Sequence, residues 1–308
     1  MVERPEPQAE SVPSVGGGTS RAPFLDFLHQ FSKNRLAVVG LVLVLFMVFL
    51  AVFAPHLAPM SPYNEYPNGT SADGSPLGPT WQWHHFFLGT DNLGRDITSR
   101  LIYGARVSME VGVVATVISL FIGIVIGLFA GYAGGWVDMV LMRVTDVALA
   151  FPIFLFAILL DAIIPEPSVQ SVFTIIGVLG WAPAARIARA QTLSTKNLEY
   201  IEAARSLGAT RSRILTRHIL PAVLPPVLVY GTLLVPNNII IESALSFLGV
   251  GVPDPIVSWG KMINVGLQLY RVDPLLIILP GVMILIATLG FNLLGDGLND
   301  ALSRRRRA

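Results

Sequence analysis

The chain has 308 residues, 53% of them hydrophobic and 13% charged, and a formal net charge of +1. Its mean hydropathy is +0.64. Soluble domains carry about 25% charged residues, so an ordinary water-soluble globule is excluded and a polytopic membrane protein is expected. The absence of cysteine excludes disulfides, thiolate catalysis and Cys-ligated metal.

In chain order, residues 1–34 form an expected disordered cytoplasmic tail. Residues 1–22 are rich in Pro, Gly, Ser and Glu and carry no apolar signal-peptide core. A helical span needs about 20 apolar residues. Six stretches satisfy this, at residues 36–54 and about 107–131, 139–164, 169–188, 223–250 and 275–298. Residues 35–106 thus hold the first span and a long loop, 107–302 the remaining spans, and 303–308 a basic tail including Arg304 and Arg307. With the N-terminus inside, 16 Lys and Arg lie inside and five outside: Arg95, Arg100, Arg106, Lys261 and Arg271. This bias predicts both termini in the cytoplasm and the 55–106 loop outside.

The second span carries Gly123, Gly127, Gly131 and Gly135, one every four residues. Such a stripe lets another backbone approach, within the chain or across a subunit interface. The third span carries Asp146, with Arg143 one turn earlier as an ion-pair partner. The fifth carries Asn237, Asn238 and Glu242 after Pro236. A charge at mid-bilayer costs roughly 2.5–3.5 kcal/mol, so Glu242 must face protein or a water-filled cavity. It either lines a translocation path or bonds to a neighbouring helix. Pro236 is expected to kink the span, with the Asn amides compensating in part.

Residues 196–221 are charged, yet sit between apolar spans. Asn197 is a candidate N-cap, with Glu199 in the first turn. Tyr200, Ala203, Ala204 and Leu207 fall at i, i+3, i+4 and i+7 and form one low face. Glu202 and Arg205 pair across one turn. Gly208 suits a left-handed helix stop. Thr210 is placed to cap a second helix running to His218, and Pro221 is expected to break the chain before the fifth span. On spacing alone this is either a helix resting on lipid headgroups or one that hands force to a soluble partner.

Glu202-Ala203-Ala204, then Gly208 and Ile219-Leu220-Pro221, resemble the signature loop of ABC importer permeases, in which a coupling helix docks on a cytoplasmic ATPase. The likeness continues in Leu88-Gly89-Thr90-Asp91-Asn92-Leu93-Gly94-Arg95-Asp96 with Tyr103 to Ser108, in Ala244 to Gly251 with Ser258-Trp259-Gly260, and in Phe291 to Leu298. These segments resemble the second permease type of dipeptide, oligopeptide and nickel importers. The resemblance implies an all-α type I ABC importer transmembrane domain with six transmembrane helices. The implied partners are a second homologous permease, two ATP-binding subunits, an extracytoplasmic substrate-binding protein and membrane lipid, with no nucleic acid. No cofactor would be bound by this chain; ATP and Mg would sit on the ATPase subunits. The implied coupling residues are Tyr200, Glu202, Ala203, Ala204, Leu207 and Gly208. Asn237, Asn238 and Glu242 are candidates for the path. Gly89, Thr90, Asp91, Gly94, Arg95 and Asp96 form the outer motif. Asn237 and Asn238 depart from the small or apolar residues of relatives, which leaves the cargo open among peptide, nickel complex and other solutes. His218 and the terminal arginines are further departures.

In the outer motif, Thr90 or Asp91 is expected to cap a helix that presents Ile97, Leu101 and Ile102 to the membrane face. His56, His84 and His85 do not make a defined metal ligand set. The chain has no Gly-x-x-x-x-Gly-Lys-Ser/Thr run, so nucleotide chemistry must come from another chain and the subunit itself is expected to be non-catalytic. Two other classes compete. An ion-coupled secondary transporter would use Asp146 or Glu242 and would favour an inverted repeat with paired broken spans, which the sequence lacks. An intramembrane hydrolase would need a nucleophile and base at membrane depth.

Overall fold

The computed structural model describes residues 31–305. The expected N-terminal tail and the end of the basic tail therefore fall largely outside the described residues. The described chain is helical, with only two isolated β-bridges.

Helix α1 (Arg35–Leu57) starts at Asn34, whose side-chain oxygen accepts from Leu36 N at 3.1 Å and Ala37 N at 3.3 Å. Its length of 23 residues gives about 34 Å, enough for the hydrocarbon core. It runs antiparallel to α11 (Leu275–Arg305): Gly40 meets Leu293 and Leu294, and Gly290 meets Leu43 and Val44. Here glycine is required by contact. A Cβ at Gly40 would lie 2.6 Å from Leu294 N.

Helix α2 (Ile97–Ala133) is the central pillar, 37 residues or about 55 Å long. Helix α3 (Gly135–Ala150) and α4 (Ile153–Ile163) form a pair bent by 87°, and α5 (Val169–Leu179) and α6 (Ala182–Thr195) a pair bent by 45°. The third and fourth spans are therefore not the continuous helices expected over 139–164 and 169–188. Phe151 precedes Pro152, whose ring disfavours helical backbone in the residue before it, and Phe151 is extended at φ −80, ψ 132. The second break lies at Gly180 and Trp181, with Pro183 in the first turn of α6. Counting each bent pair once, six spans result, four of them single helices.

Helix α7 (Glu199–Ser206), α8 (Arg211–Ile214), a π-helical turn (Leu215–Ile219) and α9 (Leu220–Phe247) follow. The chain does not break at Pro221. The wider hydrogen-bonding ring of the π-turn absorbs the position where proline lacks an N–H, so residues Arg211–Phe247 run on as one span. The short α10 (Trp259–Leu267) precedes α11.

The glycine stripe of α2 packs inside the chain. Gly123 lies against Ala184 and Ala185, Gly127 against Ala185 and Ala188, and Gly131 against Thr192. Gly135 has open space where a Cβ would be and does not share this contact. One apolar cluster, with Met47, Ile97, Met109, Ile239 and Trp259, fills the half of the bundle near the start of α2. Another, with Leu120, Ala184, Ile201, Ile214 and Val223, fills the half near its end.

Candidate functional site

The charged segment hangs from the end of α2. Lys196 Nζ donates to Gly131 O at 2.7 Å, and Arg189 Nη2 donates to Asp138 Oδ2 at 2.6 Å, joining α6 to α3. Asp146 accepts from Arg186 at 2.6 Å, and its expected partner Arg143 is more distant at 3.8 Å. The Asp146 side chain is 45% exposed, so it is a surface ion pair and not a buried relay.

Helix α7 is not capped by Asn197. Leu198 occupies the N-cap without a side-chain bond, which leaves Glu199 and Glu202 in the first turn to oppose the positive end of the helix dipole. Ile201 is fully buried among Ile214, Ile219 and Val223. Tyr200, Glu202, Ala203 and Leu207 are exposed and Ala204 half-buried. The small face expected from spacing is thus the outward one, and Ile201 is the peg that holds the helix. The spacing argument missed Ile201. Nothing in the spacing marks it out, since Leu198 and Leu207 are equally large and apolar in the same stretch.

The helix ends in a Schellman arrangement. Ala209 N donates to Ala204 O at 3.1 Å and Gly208 N to Arg205 O at 3.0 Å. Gly208 has φ +82 and no atom near an added Cβ, so its requirement is conformational. Thr210 caps α8 by accepting from Arg213 N at 3.3 Å. The Tyr200 and His218 rings lie 6.4 Å apart, which seats α7 on the π-turn.

Within α9, Glu242 is fully buried. Its Oε1 accepts from Ser246 Oγ at 2.8 Å, and its Oε2 from Ser108 Oγ at 3.2 Å and Ser243 Oγ at 3.4 Å. Asn238 Nδ2 donates to Thr116 Oγ1 at 2.9 Å. Both residues therefore bond across to α2, while Asn237 lies on the exposed face of α9 with Leu233 and Ile240. The three residues grouped by sequence divide between two faces. Ser108 and Ser246 complete the carboxylate's shell. Both stand inside the resembling motifs; Ser246 lies at i+4 from Glu242, on the same helix face, whereas nothing in the sequence points Ser108 to it.

The outer motif is a closed turn. Asp91 Oδ1 accepts from Leu93 N at 2.9 Å and Arg95 N at 3.0 Å, and Oδ2 accepts from Arg95 Nε at 2.8 Å. Arg100 is buried, lies 3.4 Å from Asp91 and donates to Pro62 O at 3.0 Å. Gly89 and Gly94 adopt left-handed backbone at φ +90 and +72, and Gly94 sits against Gly69. Thr90 Oγ1 donates to Gly69 O at 2.5 Å and accepts from Leu77 N at 2.8 Å. Asp96, not Thr90 or Asp91, caps α2, with Oδ2 accepting from Ser99 N at 2.7 Å. Burial pushes the Asp96 carboxyl above its ordinary range, against the bonds from Ser99. The motif thus pins the long loop to the head of α2, whose Ile97, Leu101 and Ile102 are buried. Among the described residues no cluster of His, Asp and Glu could hold a metal.

Residues 123–308 match the model of the binding-protein-dependent transport system inner membrane component, and residues 22–77 that of the N-terminal TM domain of oligopeptide transport permease C. The chain is 38% identical to the dipeptide transport system permease protein DppC of Alkalihalophilus pseudofirmus over 98% of its length and 96% of that protein. It is 41% identical to the oligopeptide transport system permease protein OppC of Bacillus subtilis, covering 92% and 90%. It is 36% identical to the glutathione transport system permease protein GsiD of Pectobacterium atrosepticum, covering 97% and 96%. A crystal structure of an amino acid ABC transporter with histidines shares the fold, with a TM-score of 0.51 at 18% identity over 68% of this chain and 94% of that one. By these matches the chain belongs to the binding-protein-dependent ABC importer permeases, as an integral membrane subunit of the dipeptide and oligopeptide type.

Proposed function

We propose that the chain is the second permease subunit of an ATP-driven importer of short peptides, and is itself non-catalytic. It pairs with a homologous permease, receives cargo from an extracytoplasmic binding protein and is driven by two ATPase subunits that carry ATP and Mg. Both termini and α7 face the cytoplasm, and the α1–α2 loop faces outside. The cargo reading is supported by relatives named for dipeptide, oligopeptide and glutathione transport, glutathione being itself a short peptide.

The observation that carries the mechanism is α7. Its residues Glu202, Ala203 and Leu207 face outward, Tyr200 is partly exposed beside His218, and Ile201 locks the helix to the spans. A helix held this way transmits a push from an ATPase groove to α9 through the π-turn. Alternating access follows when such a lever selects between two arrangements of the spans. On this reading Asn237, on the open face of α9, lies toward the path, whereas Asn238 and Glu242 hold α9 to α2. Ion coupling lacks comparable support, since Asp146 is exposed and paired and the shell of Glu242 consists of serine hydroxyls.

The test is peptide uptake into vesicles holding the complete transporter. Uptake should require ATP and survive a protonophore. Uptake that persists without ATP and collapses with the proton gradient would overturn the reading.

A further inference from the structure

Residues 74–90 form a run of 17 without a single Lys, Arg, Asp or Glu, between Asp73 and Asp91. Residues 80–87 of the run fold into a compact turn. Thr80 N donates to Phe86 O at 3.3 Å and Trp81 N to Phe87 O at 3.2 Å. At its tip Trp81 is 69% and Trp83 46% exposed, and both rings stack edge-on against Phe87 at 5.6 Å. Neither indole N–H has a hydrogen-bond partner among the described residues. Phe86 is buried as the root and meets Tyr66 at 5.7 Å. Trp81 and Phe86 hold φ +60 and +55, a left-handed conformation that bulky residues adopt only when the surroundings enforce it. The turn so formed carries the Trp81 ring outward and the Phe86 ring inward.

The base of the turn packs on the head of α2, where Leu88 N donates to Thr98 Oγ1 at 3.2 Å. Leu88 packs against the cluster that holds Met47, Ile97 and Trp259. Met60 N, just past the end of α1, donates to Ser99 Oγ at 3.0 Å. Arg95 and Arg100 both pair with Asp91, while Asp73 at the foot of the run is exposed and bonded to Ser71 and Ser75. What remains is an exposed aromatic tip on a turn whose base is tied to the bundle beside the end of a bilayer-length helix, α1. Trp is the residue enriched at that depth, its ring in the acyl boundary and its N–H toward headgroups. His84 and His85 are also exposed there, but the tip has no Lys, Arg, Asp or Glu with which to meet a polar protein partner.

We propose that residues 80–87 form a lipid anchor that seats Trp81, Trp83 and Phe87 in the headgroup region of the outer leaflet and fixes the height of the α1–α2 loop. The proposal rests on the chain spanning a bilayer and on the outward orientation of that loop, not on cargo or ATP coupling.

Because the chain has no cysteine, Gln82→Cys gives one spin-label site between the two tryptophans once any cysteines of the other subunits have been replaced. Ala72→Cys, on an exposed turn, serves as the aqueous reference. In phosphatidylethanolamine–phosphatidylglycerol vesicles, the ratio of oxygen to water-soluble nickel-chelate collisions at residue 82 should exceed that at 72 severalfold. Trp81→Ser with Trp83→Ser should return residue 82 to the reference ratio, while peptide uptake reports separately on the transporter. A reference-like ratio in the parent would overturn the anchor. So would shielding from both reagents, which would assign the tip to a neighbouring subunit, or shielding that appears only on adding the binding protein, which would make it a docking surface.

Discussion

Ser108 Oγ donates to Glu242 Oε2 at 3.2 Å, and the same oxygen accepts from Trp259 N at 3.3 Å. A hydroxyl has one donor and two acceptor sites, so a single serine joins α2, α9 and the start of α10. The Trp259 indole N–H adds a bond to Leu101 O at 3.1 Å. The buried carboxylate is therefore the centre of a clamp that makes these three helices one unit.

Glu242→Ala would leave the buried hydroxyls of Ser108, Ser243 and Ser246 without their acceptor. Each abandoned polar group costs about 1–3 kcal/mol, less what local re-pairing recovers, so a net loss of about 2–4 kcal/mol is expected. It should appear as a lower melting temperature of the purified transporter. Glu242→Gln retains one acceptor oxygen and should cost about half as much. A normal melting temperature with abolished uptake in Glu242→Ala would instead assign Glu242 to the path.

Gly127→Ile should prevent close packing of α2 on α6. A Cβ there would already lie 2.5 Å from Ala185 O and 2.5 Å from Ala188 Cβ. Backbone cannot yield as a flexible side chain can, so a cost at or above the 1–3 kcal/mol typical of overpacking is expected. Yield of folded complex by size-exclusion chromatography measures it. Gly281→Ala is the control, having no atom near the added Cβ, and should be neutral or stabilising by up to about 1 kcal/mol.

The parts of this architecture legible in sequence are those written in local composition. The span of α1 follows from an uncharged apolar run, and the stop at Gly208 from a glycine behind a helical face. The α2 stripe correctly indicated close packing, though Gly123 does not itself name Ala184 as its partner. The bends escaped because hydropathy averages over them: Pro152 lies in an apolar stretch that passes a length test despite the extended Phe151. Pro221 misled in the other direction, because a π-turn can absorb a proline that an α-helix would not. Ile201 and the Ser108–Glu242 bond were invisible for a common reason. Each depends on which face turns inward, and that is decided by helices far away in the chain.

Asp96 links the outer loop to pH. Burial raises its carboxyl from the ordinary 3.8, so the proton is favoured in the folded state. The stabilisation this gives is complete below the ordinary carboxylate value and is lost as pH rises through the raised one. Amides at the start of α2 should therefore exchange with solvent more readily at pH 8 than at pH 4, after correction for intrinsic rates. Asp96→Asn keeps an acceptor for Ser99 N and should flatten that dependence. Asp96→Ala loses the cap and should cost about 1 kcal/mol across the range. Protection in the parent that grows with pH would contradict the assignment.

The segment 199–208 separates into an anchor, a face and a stop, which three substitutions should tell apart. Ile201→Ala removes a fully buried side chain and should loosen α7 by about 2–4 kcal/mol, lowering uptake and stimulated ATP hydrolysis together because the lever slips. Leu207 is 89% exposed, so Leu207→Ala should leave melting unchanged while weakening retention of the ATPase during purification. Gly208→Val forces a β-branched residue to φ +82, where left-handed backbone costs roughly 1–2 kcal/mol even for ordinary residues. Hydrolysis should then continue with little uptake. Gly208→Asn tolerates that conformation and should restore coupling in large part. Equal defects in the Val and Asn variants would mean that the side chain obstructs docking, and that the backbone turn is not what Gly208 supplies.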